Sequence, residues 1–198
     1  MVSSLLGPWQ PMTLADAVAA FRNAPVRWWV CGGHALELYV GRTWRAHDDT
    51  DIGVLRGDLP RLRTVFVHWD IQVASEGVLS SWDGHEPRLD WRENNLWCRR
   101  GPRAPWSLDV TVGDGDTVHW IYRRDPSVQV PWAEALLYTH DGIPYLAPEL
   151  QLLFKSSRPR PKDTIDATEV IPLLDAARRR RLAALLPPAH PWLRHLDV

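Results

Sequence analysis

Several residue types that mark particular protein classes are scarce or missing in this sequence of 198 residues. It holds two cysteines, Cys31 and Cys98, without metal-like spacing, so we expect a reduced, cytoplasmic protein without a structural disulfide. No apolar run approaches the roughly 20 residues of a membrane span. The first ten residues, MVSSLLGPWQ, lack the basic and long apolar regions of a signal peptide. The formal net charge of -1 gives no global attraction to nucleic acid or anionic lipid.

Common catalytic signatures are also missing. The chain contains no H-E-x-x-H, no G-x-S-x-G, no Walker lysine loop and no G-x-G-x-x-G. The stretch GDGD at 113–116 superficially resembles a calcium loop, but it lacks the spaced acids and the final Glu. Lysine is nearly absent: Lys155 and Lys162 are the only two, and both fall in one C-terminal segment.

What the sequence does contain indicates a globular α/β (α+β) protein, with a small mixed sheet flanked by helices. Apolar residues make up 45% and charged residues 24% of the chain, which is ordinary for a globular domain. Helical spacing and capping predict helices from Thr13, over 34–41 and from Asp58. Apolar or alternating runs predict strands at 28–33, after the acidic stretch near residue 51, from Asp70, from Trp106 and from Val118.

The remaining segments are assigned from turn residues and from a change near residue 145, where a mixed pattern of helices and strands gives way to a helical one. We expect a turn at 113–116 and irregular sheet edge and loop over 80–105. Beyond residue 145 the pattern is helical, with an interruption near Pro172. The predicted organisation is therefore a core at 1–145 and a C-terminal helical region at 146–198.

The most informative stretch is RAHDDTDIGV, residues 45–54, where an acidic group runs directly into an apolar strand. Asp49 and Asp51 are separated by one residue, so on a strand their side chains point the same way. Two carboxylates this close repel each other, and burial increases the cost. A hard divalent cation such as Mg²⁺ resolves the conflict, since it prefers oxygen ligands. The alternative is a capped turn followed by an exposed edge residue.

Three further features favour the cation site. Gly32 and Gly33, in CGGHA, follow a strand at a helix start, where backbone amides favour anions such as phosphate. Arg42 and Arg45 precede the acids and could clamp phosphate oxygens. Asp109 lies inside the apolar strand SLDVTV, where an unpaired carboxylate would be costly. If that strand lies beside the first, Asp109 can be the third ligand.

This order of elements resembles the polymerase-beta-type nucleotidyltransferase superfamily, and within it the aminoglycoside 2''-adenylyltransferase and lincosamide nucleotidyltransferase group. The residues that carry the resemblance are WWVCGGHALELYVGRTWRAHDDTDIGV, 28–54, and LDVTV, 108–112. It implies a small mixed-sheet nucleotidyltransferase core, catalysis at a cluster of carboxylates, two Mg²⁺ ions and a nucleoside triphosphate, most often ATP.

Carried onto this sequence, the resemblance implies that Asp49 and Asp51 are paired metal ligands and Asp109 the third carboxylate, which serves metal binding, activation of the acceptor hydroxyl, or both. Phosphate contacts are implied for a wider set, comprising Gly32, Gly33, His34, Arg42, Arg45, and a tail lysine, either Lys155 or Lys162. Many members have Ser where this chain has Gly33, so a hydroxyl contact to phosphate is absent. His47 and Asp48 complete the H-D-D pattern without being metal ligands.

The implied reaction is transfer of a nucleoside monophosphate to a hydroxyl of a small molecule, such as an aminoglycoside- or lincosamide-like antibiotic, by a monomer or homodimer. A cationic acceptor would suit an acidic cleft, and acids in the middle of the chain are available for one: Asp83, Glu86, Asp90, Glu93, Asp114 and Asp116. Two alternatives stay open. One is a toxin-type enzyme acting on tRNA or protein, for which RRRR at 178–181 offers a basic surface. The other is an inactive nucleotide-binding regulator of the same fold.

Overall fold

The structure, a computed structural model, describes residues 6–84 and 94–196. Within these ranges the chain forms seven α-helices and ten β-strands. The helices are α1 Leu14–Phe21, α2 Gly32–Val40, α3 Leu59–Val65, α4 Trp132–Ala135, α5 Pro148–Ser156, α6 Pro161–Val170 and α7 Ala176–Leu185. The strands are β1 Trp28–Val30, β2 Asp51–Leu55, β3 Asp70–Ser75, β4 Val78–Ser81, β5 Asn95–Arg99, β6 Leu108–Gly115, β7 His119–Ile121, β8 Gln129–Pro131, β9 Leu136–Tyr138 and β10 Pro144–Leu146.

The strands join in one mixed sheet with the order β4-β3-β5-β6-β2-β1-β10-β9, and β7 and β8 extend from the far end of β6. The pairs β2–β6 and β1–β10 are parallel, and the other pairs are antiparallel. A mixed sheet flanked by helices is the α+β architecture expected from the sequence, and the prediction is confirmed. None of the helices in the described part of the chain has the length and apolarity that crossing a membrane requires.

Two apolar cores lie on the two faces of the sheet. In β1, Val30 belongs to the core that α1 and α3 cover, whereas Trp29 belongs to the core built with α2, α5, α6 and α7. This alternation follows from the pleat of a strand, which sends successive side chains to opposite faces. The helices of the C-terminal region thus share a core with α2. The proposed boundary at residue 145 remains a prediction.

Helix α2 begins earlier than the sequence suggested. Its first residue is Gly32 and not His34, so both glycines lie in the first turn. Gly32 has φ +67°, a left-handed conformation that glycine adopts without a steric penalty. The helix ends at Gly41 with φ +79°, as predicted.

Two other predictions are wrong. Residues 113–116 do not form a turn after the strand, because β6 continues to Gly115. A Cβ on Gly113 would lie 2.6 Å from the Trp29 ring, so the glycine admits that ring over the strand. The segment around LWCRR is not a sheet edge, because β5 lies between β3 and β6. It alternates buried Leu96 and Cys98 with half-buried neighbours, as a strand with one covered face does.

Candidate active site

Three carboxylates converge where β2 and β6 begin. The two strands run parallel with Asp51 and Asp109 as register partners, and the Asp109 backbone N–H donates to the Thr50 carbonyl at 3.0 Å. Asp49 lies two residues before the first residue of β2, and its charge acts on both Asp51 and Asp109. The two strands therefore lie side by side, as the third-ligand hypothesis requires.

The electrostatics of this cluster show mutual repulsion. Burial, followed by the charges of Asp49 and Asp109, raises the pKa of Asp51 well above its ordinary value. Burial and Asp49 likewise raise the pKa of Asp109 to about 7, against the opposing effect of a hydrogen bond from Asn95. Three neighbouring carboxylates, two of which have raised pKa values, are the oxygen donor set that a hard divalent cation stabilises, so the residues present fit such an ion.

Two neighbours that the sequence did not reveal hold this site in shape. The Asn95 amide Nδ2 donates to Asp109 Oδ1 at 2.8 Å from the adjacent strand β5. The Gln151 side chain, on α5, accepts from the Gly32 N–H at 2.9 Å. These contacts span 14 and 119 positions, and only the sheet register and the packing of α5 bring the partners together.

Gly32 is required by the Asp51 side chain as well as by its own backbone. A Cβ at residue 32 would lie 2.0 Å from Asp51 Oδ2 and 2.9 Å from Asp51 Cγ. The carboxylate therefore occupies the space that any other residue would fill. The Cys31 N–H donates to the Asp51 carbonyl at 3.1 Å, which fixes the start of α2 against the start of β2.

Gly33 is explained by a different contact. A Cβ there would lie 2.4 Å from Arg45 Nη2 and 2.4 Å from His47 Cε1. The departure from the serine common in related enzymes thus makes room for these two side chains. His34 stacks on His47 with ring centroids 3.9 Å apart.

His34, Glu37 and His47 form a second group of metal-ligand type, with ligand atoms within 4.8 Å of one another. His47 Nε2 lies 2.9 Å from Glu37 Oε1, an ion-pair distance without hydrogen-bond alignment. Burial, followed by the neighbouring His47, lowers the pKa of His34 to about 4, so the His34 imidazole is neutral at physiological pH. Arg45 Nη1 lies 3.3 Å from His47 Nδ1. Since Arg can only donate, this contact places the His47 proton on Nε2 and works against an ion there.

The two arginines near the acidic stretch are engaged with α6. Arg45 forms a bidentate pair with the fully buried Asp166, at 2.8 and 2.9 Å. Arg42 pairs with Glu169 on the same helix. Neither contributes to the wall of the cavity onto which Asp51 opens, so the structure does not bring them together with Gly32 and Asp51 there.

Lys155 lies on that wall, within a network of buried charges. Its Nζ is 2.9 Å from Asp163 and 3.0 Å from Asp166, and its side chain is 7% exposed. Burial opposes the ionised form of Asp163, but hydrogen bonds from Arg160 and Lys155 outweigh it and hold the pKa of Asp163 well below its ordinary value. The network fixes the lysine where its charge favours ionised Asp51.

Lys162 lies on the other side of the site. Its Nζ is 3.2 Å from Asp48 Oδ2, in a pair whose acid is 85% exposed. The two lysines thus separate: Lys155 faces one cavity and Lys162 another.

The carboxylates lie at the junction of these two cavities. The first, about 730 Å³, contains Asp51 and Gly32 and is otherwise rich in cationic and aromatic side chains, which are Arg123, Arg124, Lys155, Arg158, Arg160, Trp29, Trp120 and Phe154. The second, about 890 Å³, contains Asp49 and Asp109 with Trp9, Trp97 and Glu76. Of the acids suggested for an acceptor cleft, Glu86, Asp90 and Glu93 lie outside the described residues. Asp114 instead pairs with Arg56, and Asp116 is exposed and caps a turn.

Comparison with solved structures identifies the fold. A lincomycin-bound structure of the lincosamide antibiotic adenylyltransferase LnuA matches with TM-score 0.55 and 17% identity, covering 82% of this chain and 97% of that one. ANT(2")-Ia in complex with adenylyl-2"-tobramycin matches with TM-score 0.56 and 15% identity, covering 87% and 94%. A solution structure of ANT(2'')-Ia gives TM-score 0.56, 14% identity and coverage of 93% and 94%. The chain shares its fold with these antibiotic nucleotidyltransferases.

A comparison of the sequence with protein families agrees with the fold comparison over part of the chain. Residues 13–77 match the model of the aminoglycoside-2''-adenylyltransferase family, a range that includes Gly32, Asp49 and Asp51 but not Asp109. No curated protein sequence matches the chain. The resemblance to the aminoglycoside and lincosamide nucleotidyltransferase group, inferred from the motifs, is confirmed.

Proposed function

We propose that this protein transfers a nucleoside monophosphate from a nucleoside triphosphate, with ATP the first candidate, to a hydroxyl of a small-molecule acceptor, and that pyrophosphate leaves. The observation that carries the proposal is the position of Asp49, Asp51 and Asp109 between a cation-rich cavity and an aromatic and acidic one. A transfer reaction needs two substrates to meet at one charged centre, and the two cavities provide for both.

Asp49, Asp51 and Asp109 would hold Mg²⁺. The bound ion would neutralise charge on the triphosphate and acidify the attacking hydroxyl. The role of the protein is to present the carboxylates together, which the β2–β6 register and the Asn95 contact achieve. Asp109 faces the second cavity, so it is the candidate to accept the hydroxyl proton.

The first cavity suits the triphosphate. Its wall has the start of α2, whose N-terminal amides favour anions, and Lys155, held in place by two acids. Arg158 and Arg160 line the same wall from the linker between α5 and α6. The contact from Gln151 to Gly32 fixes α5 and α2 relative to each other.

The second cavity suits an acceptor with an amino group and an apolar face. Trp9 and Trp97 form an edge-to-face pair with centroids 5.0 Å apart, and the carboxylates of Asp49, Asp109 and Glu76 line the same space. Rings and acids together bind cationic, partly apolar molecules. The structural neighbours contain lincomycin and adenylyl-2"-tobramycin, and an antibiotic of such a class is the acceptor we propose.

The arginine run does not favour an RNA acceptor. Arg178 and Arg181 both pair with Glu149, a fully buried acid on α5. Arg179 donates to the carbonyls of Pro172 and Leu174. Three of the four arginines therefore anchor α7, and a phosphate-binding surface is not built from this run.

The proposal is tested by incubating the protein with Mg²⁺ and each α-labelled nucleoside triphosphate against aminoglycosides, lincosamides and tRNA. We expect labelled antibiotic with at least one nucleotide, with a flat dependence on salt. Labelling of tRNA with a steep salt dependence would replace the small-molecule acceptor. Triphosphate binding without transfer to any acceptor would instead indicate an inactive regulator.

A further inference from the structure

Arg123 is a half-buried cation for which the described residues provide no anionic partner at ion-pair distance. Its Nε and Nη1 are buried and make no hydrogen bond. Among residues 6–84 and 94–196, no carboxylate lies within ion-pair distance of it. Buried donors without a partner are costly, and in native proteins such groups are normally paired. Within the described residues the Arg123 guanidinium is therefore left free to bind an anion that enters the cavity it lines.

The position of Arg123 indicates where that partner would lie. The residue follows β7 and lines the cavity that contains Asp51, whereas Asp49 and Asp109 line the other cavity. It is thus on the nucleotide side of the carboxylates. The Arg123 charge lowers the pKa of Cys31, at the start of α2, and the pKa of Asp109. Burial is the main cause that lowers the pKa of Arg123 itself.

Among the described residues, an aromatic ring lies against the Arg123 guanidinium. The guanidinium carbon of Arg123 lies 5.2 Å from the Phe154 ring centroid, on the same helix as Lys155. A cation–π contact stabilises a cation only in part, so most of the Arg123 charge remains uncompensated. The adjacent Arg124 differs, because it is exposed and donates to the Phe154 carbonyl at 2.7 Å.

We infer that Arg123 binds the β- and γ-phosphates of the triphosphate and stabilises the pyrophosphate that leaves. This inference rests on the proposed function. In the reaction, a bond forms between the acceptor oxygen and the α-phosphorus. The bond from the α-phosphorus to the bridging oxygen breaks, and its electron pair stays on pyrophosphate. A guanidinium with forked donors matches the negative charge that develops there.

The test measures binding of inorganic tripolyphosphate and of pyrophosphate by calorimetry in Mg²⁺, with no acceptor present. The variants are Arg123→Gln, Arg123→Lys and the control Arg180→Gln, which removes an exposed charge that lines neither cavity. We expect Arg123→Gln to weaken tripolyphosphate binding roughly 10- to 100-fold, as for loss of charge-assisted hydrogen bonds. Arg123→Lys should recover part of the loss, and Arg180→Gln should bind like the wild type.

A thermal melt without ligand separates this role from a structural one. Because Arg123→Gln removes an unpaired, half-buried charge, the melting temperature of the variant should equal or exceed that of the wild type. Wild-type affinity in Arg123→Gln, an equal loss in Arg180→Gln, or a lower melting temperature that accounts for the binding loss would each overturn the inference. So would a wild-type protein that binds no polyphosphate. If polyphosphate binds as expected but no nucleotide is transferred, the proposed function fails, and only the binding of polyphosphate by Arg123 is retained.

Discussion

Replacing Asp109 with Asn should stabilise the ligand-free protein at pH 8 while removing its response to Mg²⁺. The substitution keeps the size of the side chain and an oxygen to accept from Asn95, which now lies 2.8 Å from Asp109 Oδ1. What it removes is one of three mutually repelling charges. Most substitutions of buried residues destabilise a protein, so a gain would be a specific signature of this cluster.

The magnitude follows from the raised pKa. Burial and Asp49 raise the pKa of Asp109 from 3.8 to about 7. At about 1.4 kcal/mol per unit, the ionised form costs up to about 4 kcal/mol of folding free energy at pH 8. The Asp109→Asn variant also loses the hydrogen bonds made to the charged carboxylate. We therefore expect its free energy of unfolding to rise by roughly 2 kcal/mol, which corresponds to a melting temperature several degrees higher.

The pH dependence has a defined sign. An acid whose pKa is raised in the folded state contributes most stability below its unfolded-state pKa, and the contribution is lost as pH rises to the folded-state pKa. The advantage of Asp109→Asn should therefore be full above about pH 7 and should shrink as the pH falls toward 4.

Melting curves from pH 5 to 8, with and without Mg²⁺, provide the assay. Asp48→Asn is the control, because its carboxylate is 85% exposed and its pair with Lys162 is of the weak surface type. We expect Mg²⁺ to raise the melting temperature of the wild type and of Asp48→Asn but much less that of Asp109→Asn. A ligand-free Asp109→Asn protein that melts at or below the wild type at pH 8 would refute the like-charge cluster.

Two further substitutions test the frame around the carboxylates, each with an internal control. Gly32→Ala should lower the melting temperature and abolish the Mg²⁺ response, because the new Cβ would clash with the Asp51 side chain. Gly41 also has a left-handed backbone but has open space around it, so Gly41→Ala should show only the backbone strain of about 1–2 kcal/mol. Equal effects of the two alanines in melting experiments would argue against the contact with Asp51. Lys155→Gln should lower the free energy of unfolding in denaturant by about 1–3 kcal/mol and weaken triphosphate binding, because it removes the partner of two buried acids. Lys162→Gln should lower the free energy of unfolding by less than about 1 kcal/mol, because its ion pair is exposed. A larger loss of triphosphate affinity in Lys162→Gln would reverse the assignment of the two lysines.

The carboxylate cluster was predictable because its pattern reflects a local physical conflict. Asp49 and Asp51 are two positions apart at the start of an apolar strand, and Asp109 lies between the buried Leu108 and Val110. A carboxylate in such surroundings is unfavourable without a partner, and this singled out the three residues. The pairing of β2 with β6, which the sequence analysis could only assume, brings Asp109 beside Asp51. The fold class followed from the same alternation of helical and strand patterns.

The remaining parts of the site depend on contacts that sequence spacing does not determine. Arg45 pairs with Asp166 at a separation of 121 positions, a contact that its place beside the acidic stretch did not indicate. Its predicted contact with phosphate remains a prediction. The glycines of 113–116 gave a turn pattern, yet Gly113 serves to admit the Trp29 ring within a strand. Arg123 carried no sequence signal at all, because what distinguishes it is the lack of a partner in the folded chain.

The most direct test of the central claim is transfer of label from α-labelled ATP to an aminoglycoside or lincosamide in Mg²⁺, by the wild type and by Asp51→Asn. If the three carboxylates form the reaction centre, the wild type produces labelled antibiotic and Asp51→Asn produces none while it remains folded. Equal turnover by the two proteins would contradict the account.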